Sequence, residues 1–250
     1  MSTRGLWHLA LRVAMLIGME DRFQTAMRRP MPALASSAND MLWVSYRWMS
    51  VGLAITGAVA MLIAASPGAV AALVSNPVLF YGLMFAQLGM VIAFNPVAAR
   101  ASTPVAAAMF LVYSALTGVT FSTLFLVYTR QSIASTFFIT AGAFAGLSVY
   151  GATTKRDLSP MGRFLMFAVI GLVIASIVNI FVASAGLYWL TTFAGVLIFA
   201  ALTAYDTQML KELFASGQGG KNLALVGALK LYLDFINMFL FLLRLFGRRD

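Results

Sequence analysis

The chain has 250 residues, 61% of them hydrophobic and 10% charged, with 17 Lys and Arg against 8 Asp and Glu for a formal net charge of +9. That balance describes a polytopic helical membrane protein and excludes a soluble domain. There is no cysteine, which excludes disulfides, thiolate metal sites and thiol catalysis, and the single histidine, His8, sits in the N-terminal arm, which excludes histidine-based zinc chemistry.

The basic residues are spread over termini and loops and form no basic, aromatic-interleaved surface. Anionic lipid headgroups, not nucleic acid, are therefore the expected partner of the positive charge. Residues 1–42 differ from the rest: Arg4, Arg12, Arg22, Arg28 and Arg29 interrupt an apolar stretch that never reaches spanning length. This reads as a basic N-terminal arm on the cytoplasmic membrane surface, ahead of a transmembrane domain over residues 43–250. Ala33-Leu34-Ala35 has the composition of a signal-peptidase site, but Arg28 and Arg29 separate it from the apolar stretch before it, which is the wrong order.

Apolar runs long enough to cross about 30 Å of hydrocarbon fall near residues 43–65, 78–98, 104–128, 133–152, 162–183, 187–210 and 223–246. Ser66-Pro67-Gly68 and Ser75-Asn76-Pro77 bound the first loop. Ser102-Thr103-Pro104 reads as an N-cap followed by proline in the first helical turn. Ser216-Gly217-Gln218-Gly219-Gly220 ends the sixth segment in a Gly-rich turn.

Orientation follows from the basic loops. With a cytoplasmic N-terminus, the arm, Arg100, Lys155, Arg156, Arg163, Lys211 and Lys221 fall inside. Arg130, Arg244, Arg248 and Arg249 are the exceptions, because an odd number of spans places them outside. Either the charge rule is overridden there, or one segment is re-entrant and the C-terminus returns to the cytoplasm.

Asp206 and Asp234 are the only acidic residues in these spans, one on each of the last two. An ionisable side chain at that depth is costly, so its default reading is a functional site with a partner. Counted from a turn centred near Gly217–Gly219, the two carboxyls differ in depth by only about 5 Å, and antiparallel neighbours bring them together. On the last span Lys230, Asp234, Asn237, Phe241 and Arg244 recur on one helical face, a polar stripe that faces protein or water. Two close carboxyls in a poorly solvated place share a proton and titrate as one unit. Calcium takes six to eight oxygen ligands in flexible geometry, so a carboxylate pair, helped by water, backbone carbonyls, Asn237 or Thr203, makes a weak, transit-type site. The competing structural reading is an ion pair between Lys230 and Asp234, four residues apart on one helix.

Other polar residues carry less. Tyr113, Thr117 and Thr120 on the third span and Asn179, deep in the fifth, read as interhelical glue, and Gly142 and Gly146 as a close-approach spacing of the kind that only sometimes marks a dimer face. No phosphate loop, Ser/His/Asp arrangement or HExxH motif is present, so no enzyme site and no resident cofactor are expected.

Ala204-Tyr205-Asp206-Thr207-Gln208, followed by Leu229-Lys230-Leu231-Tyr232-Leu233-Asp234-Phe235-Ile236-Asn237, closely resembles the C-terminal signature of the Bax inhibitor-1 family, the transmembrane Bax inhibitor motif proteins. Val44 to Ala60 and Thr136 to Phe181, including Tyr150-Gly151-Ala152-Thr153-Thr154-Lys155-Arg156-Asp157-Leu158-Ser159, resemble its bacterial branch. The resemblance spans about residues 43–249. It implies an all-α seven-helix transmembrane bundle with the C-terminal helix central, in an inner membrane. It further implies a pH-sensitive calcium leak controlled by a hydrogen-bonded aspartate pair, matched here by Asp206 and Asp234. In some bacterial members an arginine at the cytoplasmic end of the second span closes the pore by pairing with the first aspartate. The closest aligned position here is Val97, with Arg100 one turn further on.

Two other readings stand beside that one. A regulator without transport of its own, binding a membrane protease or stress-response partner, is motivated by the basic arm. A retinal protein with Lys230 as the Schiff-base lysine is motivated by the span count, although the third span lacks the acidic counterion.

Overall fold

A computed structural model describes residues 31–216 and 222–248. Among these residues there is no strand, and seven helices are long and apolar enough to cross a membrane. In lipid the backbone must satisfy its own hydrogen bonds, which leaves the helix as the way for such apolar runs to fold. The helices are α1 (Met31–Ala64), α2 (Pro67–Ser75), α3 (Pro77–Arg100), α4 (Thr103–Phe121), α5 (Arg130–Thr153), α6 (Ser159–Val182), α7 (Ala185–Ala215) and α8 (Leu223–Phe246), with a 3₁₀ turn at Ser122–Leu126 after α4.

Residues 1–30 of the expected arm lie outside the described residues, as does the Gly-rich turn after Ser216. Residues 31–42 are part of α1, whose membrane-length segment begins at Ala38. The expected first loop is the nine-residue helix α2, opened by Pro67 and closed by Asn76. A proline at the first helical position lacks only an N–H that has no intrahelical partner there, so Pro67 starts a helix as readily as it punctuates a loop.

Side-chain caps mark several starts. Asn76 accepts from the Leu79 amide (3.1 Å), Thr129 from Ser132 (3.2 Å) and Ser184 from Leu187 (3.3 Å), while Ser102 holds the N-cap position of α4 without a side-chain bond. Asn179 is not deep in its span. It lies in the last turn of α6, where its Oδ1 accepts from the Ser184 amide (3.0 Å) and braces the turn at Ala183, which sits at φ 50°. A left-handed alanine costs about 1 kcal/mol, and that bond helps to offset it.

The last helix is the centre of the bundle. Of its membrane-length window 67% is buried inside the protein, against 33% at most for any other span. It packs against α1, α3, α4, α5 and α7, whereas α6 packs chiefly against α7. The outermost helices, α3 and α6, expose large apolar side chains such as Phe85, Phe164 and Phe181. Hydrocarbon is their solvent, so these faces need no protein partner.

The connection between α5 and α6 is tied to α7. Gln208 accepts from the Leu158 amide at Oε1 (2.8 Å) and donates from Nε2 to the Arg156 carbonyl (2.9 Å), and Lys211 Nζ donates to the Ala152 carbonyl (2.7 Å). In the same loop the Ser159 amide donates to Asp157 Oδ1 (2.8 Å), which holds that carboxyl below the usual carboxylate range.

Each of the seven membrane-length segments is unbroken, α8 included. Beyond α8 the Arg248 amide donates to Ser132 Oγ (2.8 Å), and its carbonyl accepts from the Thr129 amide (3.2 Å). Arg130, Arg244 and Arg248 therefore gather at one end of the bundle. Arg100, Lys155, Arg156, Arg163 and Lys211 gather at the other, and Lys221 lies outside the described residues.

Candidate functional site

Helices α7 and α8 run antiparallel, and their facing sides carry the two aspartates. Asp206 is 1% exposed and Asp234 4% exposed, both deep among apolar neighbours. The helices approach closely around the pair: a Cβ on Gly151 of α5 would clash with the Ala204 carbonyl oxygen, and Phe241 stacks on Phe199 with centroids 5.9 Å apart.

Lys230 Nζ lies 2.9 Å from Asp206 Oδ2. The lysine thus bridges the two helices and does not pair along its own helix with Asp234, as the i, i+4 reading had it. Its stem starts one turn before Asp234, and the crossing of α7 over α8 puts Asp206 within reach of its ammonium. Asp234, one turn beyond Lys230 on α8, shares this facing side with Asp206. One oxygen of each, Asp206 Oδ1 and Asp234 Oδ2, is buried without a hydrogen-bond partner. Both are acceptors when ionised. One proton on the pair would make the group of one ammonium and two carboxyls electrically neutral.

The other expected site residues fall differently. Thr203 Oγ1 donates to the Phe199 carbonyl (2.8 Å) and Asn237 Nδ2 to the Leu233 carbonyl (2.8 Å), so both spend their donors on their own helices. Arg100 is exposed at the end of α3 and makes no ion pair among the described residues. The cation on Asp206 is Lys230, supplied by the adjacent helix. Of the third-span residues, Thr117 meets Gln87 Oε1 of α3 (3.4 Å) and the Tyr113 ring packs edge-on against Tyr232 of α8, whereas Thr120 donates only to carbonyls of its own helix. Among the described residues no three His, Cys, Asp or Glu side chains converge to hold a metal.

Three residues that sequence reasoning passed over tie neighbouring helices to α7 and α8. The hydroxyls of Tyr46 and Thr207 share a hydrogen bond (3.3 Å), which ties α1 to the residue after Asp206. Ser45 Oγ reaches the Ala224 carbonyl (2.9 Å) near the start of α8. Asn222, 2% exposed, donates from Nδ2 to the carbonyls of Ala98 (2.9 Å) and Ala101 (3.1 Å) and fastens the end of α3 to the start of α8. Their partners are distant backbone atoms or a hydroxyl on another helix. The only sequence signal was a polar residue at the edge of an apolar run.

A seven-span helical membrane protein with a buried aspartate pair on its last two helices is the class that this fold and site define. The chain belongs to the Bax inhibitor-1 family: residues 38–250 match the family model described as inhibitor of apoptosis-promoting Bax1. It is 48% identical over 209 residues to the inner membrane protein YbhL of Escherichia coli (strain K12), covering 82% of this chain and 89% of that one. It is 47% identical over 209 residues to an uncharacterized protein of Deinococcus radiodurans (82% and 89%), and 45% identical over 215 residues to one of Borreliella burgdorferi (84% and 93%).

Proposed function

We propose that this protein is a cation leak pathway of the inner membrane, with calcium as its ion, gated by the proton shared between Asp206 and Asp234. The observation that carries the reading is the pair of buried, partnerless oxygens on facing carboxyls, neutralised on one side by Lys230. Removing the proton leaves two carboxylates and one ammonium with a net charge of −1, and a divalent cation is the natural replacement. Protons and calcium then compete for one place: calcium binding releases a proton, and apparent calcium affinity rises with pH. Two carboxylates among six to eight required oxygens hold the ion weakly, as transit needs.

The inner-membrane location rests on the printed name of the Escherichia coli relative. The cytoplasmic N-terminus rests on the larger share of Lys and Arg at the Arg100 end of the bundle.

The test is calcium flux into proteoliposomes between about pH 6 and about pH 8, wild type beside Asp206→Asn and Asp234→Asn. Wild-type flux that varies with pH, with both variants inserted but pH-independent, is the expected result. Equal pH dependence in all three overturns the gate.

A further inference from the structure

Between α1 and α5 the bundle opens sideways into an apolar groove of about 1180 Å³. Phe235, Ile236 and Phe239 of α8 form its floor, and its walls are mostly small and aromatic side chains of α1 and α5. Arg130, in the first turn of α5, lines one end. It is exposed and makes no ion pair among the described residues.

We infer that this groove is a phospholipid site: an acyl chain lies over Phe235 and Phe239, and the phosphate of an anionic headgroup sits at Arg130. Charge argues for the headgroup. Arg244 and Arg248 end at the same face as Arg130, whereas the described carboxylates Asp40, Asp157, Asp206, Glu212 and Asp234 lie at the other end or in the middle of the bundle. The lining argues for the chain: the walls are mostly apolar along their length, with Arg130 at one end. A flexible hydrocarbon tail enters between the aromatic walls, and each buried methylene adds to its retention. The site stands whether or not the aspartate pair gates a leak.

The experiment is native mass spectrometry of the full-length protein titrated with phosphatidylglycerol or phosphatidylcholine of identical chains. Wild type is expected to retain phosphatidylglycerol about five-fold better, the preference that one arginine near the headgroup supplies. Arg130→Gln, a change at an exposed side chain, loses that preference while keeping its fold. Ala141→Phe or Ala134→Phe fills the groove and lowers retention of both lipids. Equal retention of the two lipids by wild type overturns the site. So does a preference that survives Arg130→Gln, or one lost instead with Arg244→Gln. Unchanged retention in both groove-filling variants, with thermal unfolding like wild type, places any bound lipid elsewhere and also overturns it.

Discussion

Lys230 and Asp206 form an ion pair with unequal access to water: the lysine side chain is 36% exposed, the carboxylate 1%. Losing the lysine strands a buried carboxylate, whereas losing both charges strands nothing. Lys230→Met is therefore expected to destabilise by about 3 kcal/mol, and the double variant Lys230→Met/Asp206→Asn to recover most of it, read from thermal unfolding in detergent. A double variant as unstable as the single one would show that the lysine acts through its stem. The two aspartates were legible in the sequence because charge is rare in a spanning segment. Which of them holds the lysine was not, because the i, i+4 rule sees one helix and the bond crosses two.

The glycines of α5 divide according to what its neighbours do. Gly151 faces the backbone of α7, and an added Cβ would meet the Ala204 carbonyl oxygen, an atom that cannot swing aside. Gly142 and Gly146, the pair with the familiar close-approach spacing, have nothing within 4 Å of an added Cβ. Gly151→Ala is expected to cost about 2 kcal/mol by overpacking, and Gly142→Ala about 0.5 kcal/mol or less, compared by thermal unfolding. Equal costs would mean that α5 and α7 part easily. Spacing alone pointed to the wrong glycines, because it says that a helix can be approached but not on which side the neighbour stands. Helix ends were clearer: proline, asparagine and serine at the breaks placed most boundaries within a few residues, and α2 was missed because its nine residues are flanked by the same punctuation as a loop.

Continuous spans carry the start of α1 and the end of α8 to opposite faces of the bundle, with Arg248 fastened beside Thr129 and Ser132. The chain has no cysteine, so a single introduced one reports its side without background. Lys155→Cys and Arg248→Cys are expected to be labelled by an impermeant thiol reagent from opposite sides of a sealed vesicle. Labelling from the same side would refute the seven-crossing path.

Composition and apolar run length determined, without any structure, that this is a seven-span helical membrane protein, because hydrocarbon allows an uncovered backbone only one way to bond itself. The rarity of intramembrane charge likewise singled out Asp206 and Asp234. The rest depended on which faces meet. That α8 takes the centre, that Lys230 crosses to Asp206 while Arg100 stays at the rim, that Tyr46 and Asn222 tie α7 and α8 to their neighbours, and that a groove opens toward Arg130 are outcomes of packing. In a bilayer every apolar face is equally well solvated, so the pattern of apolar residues says little about which helix a face will touch.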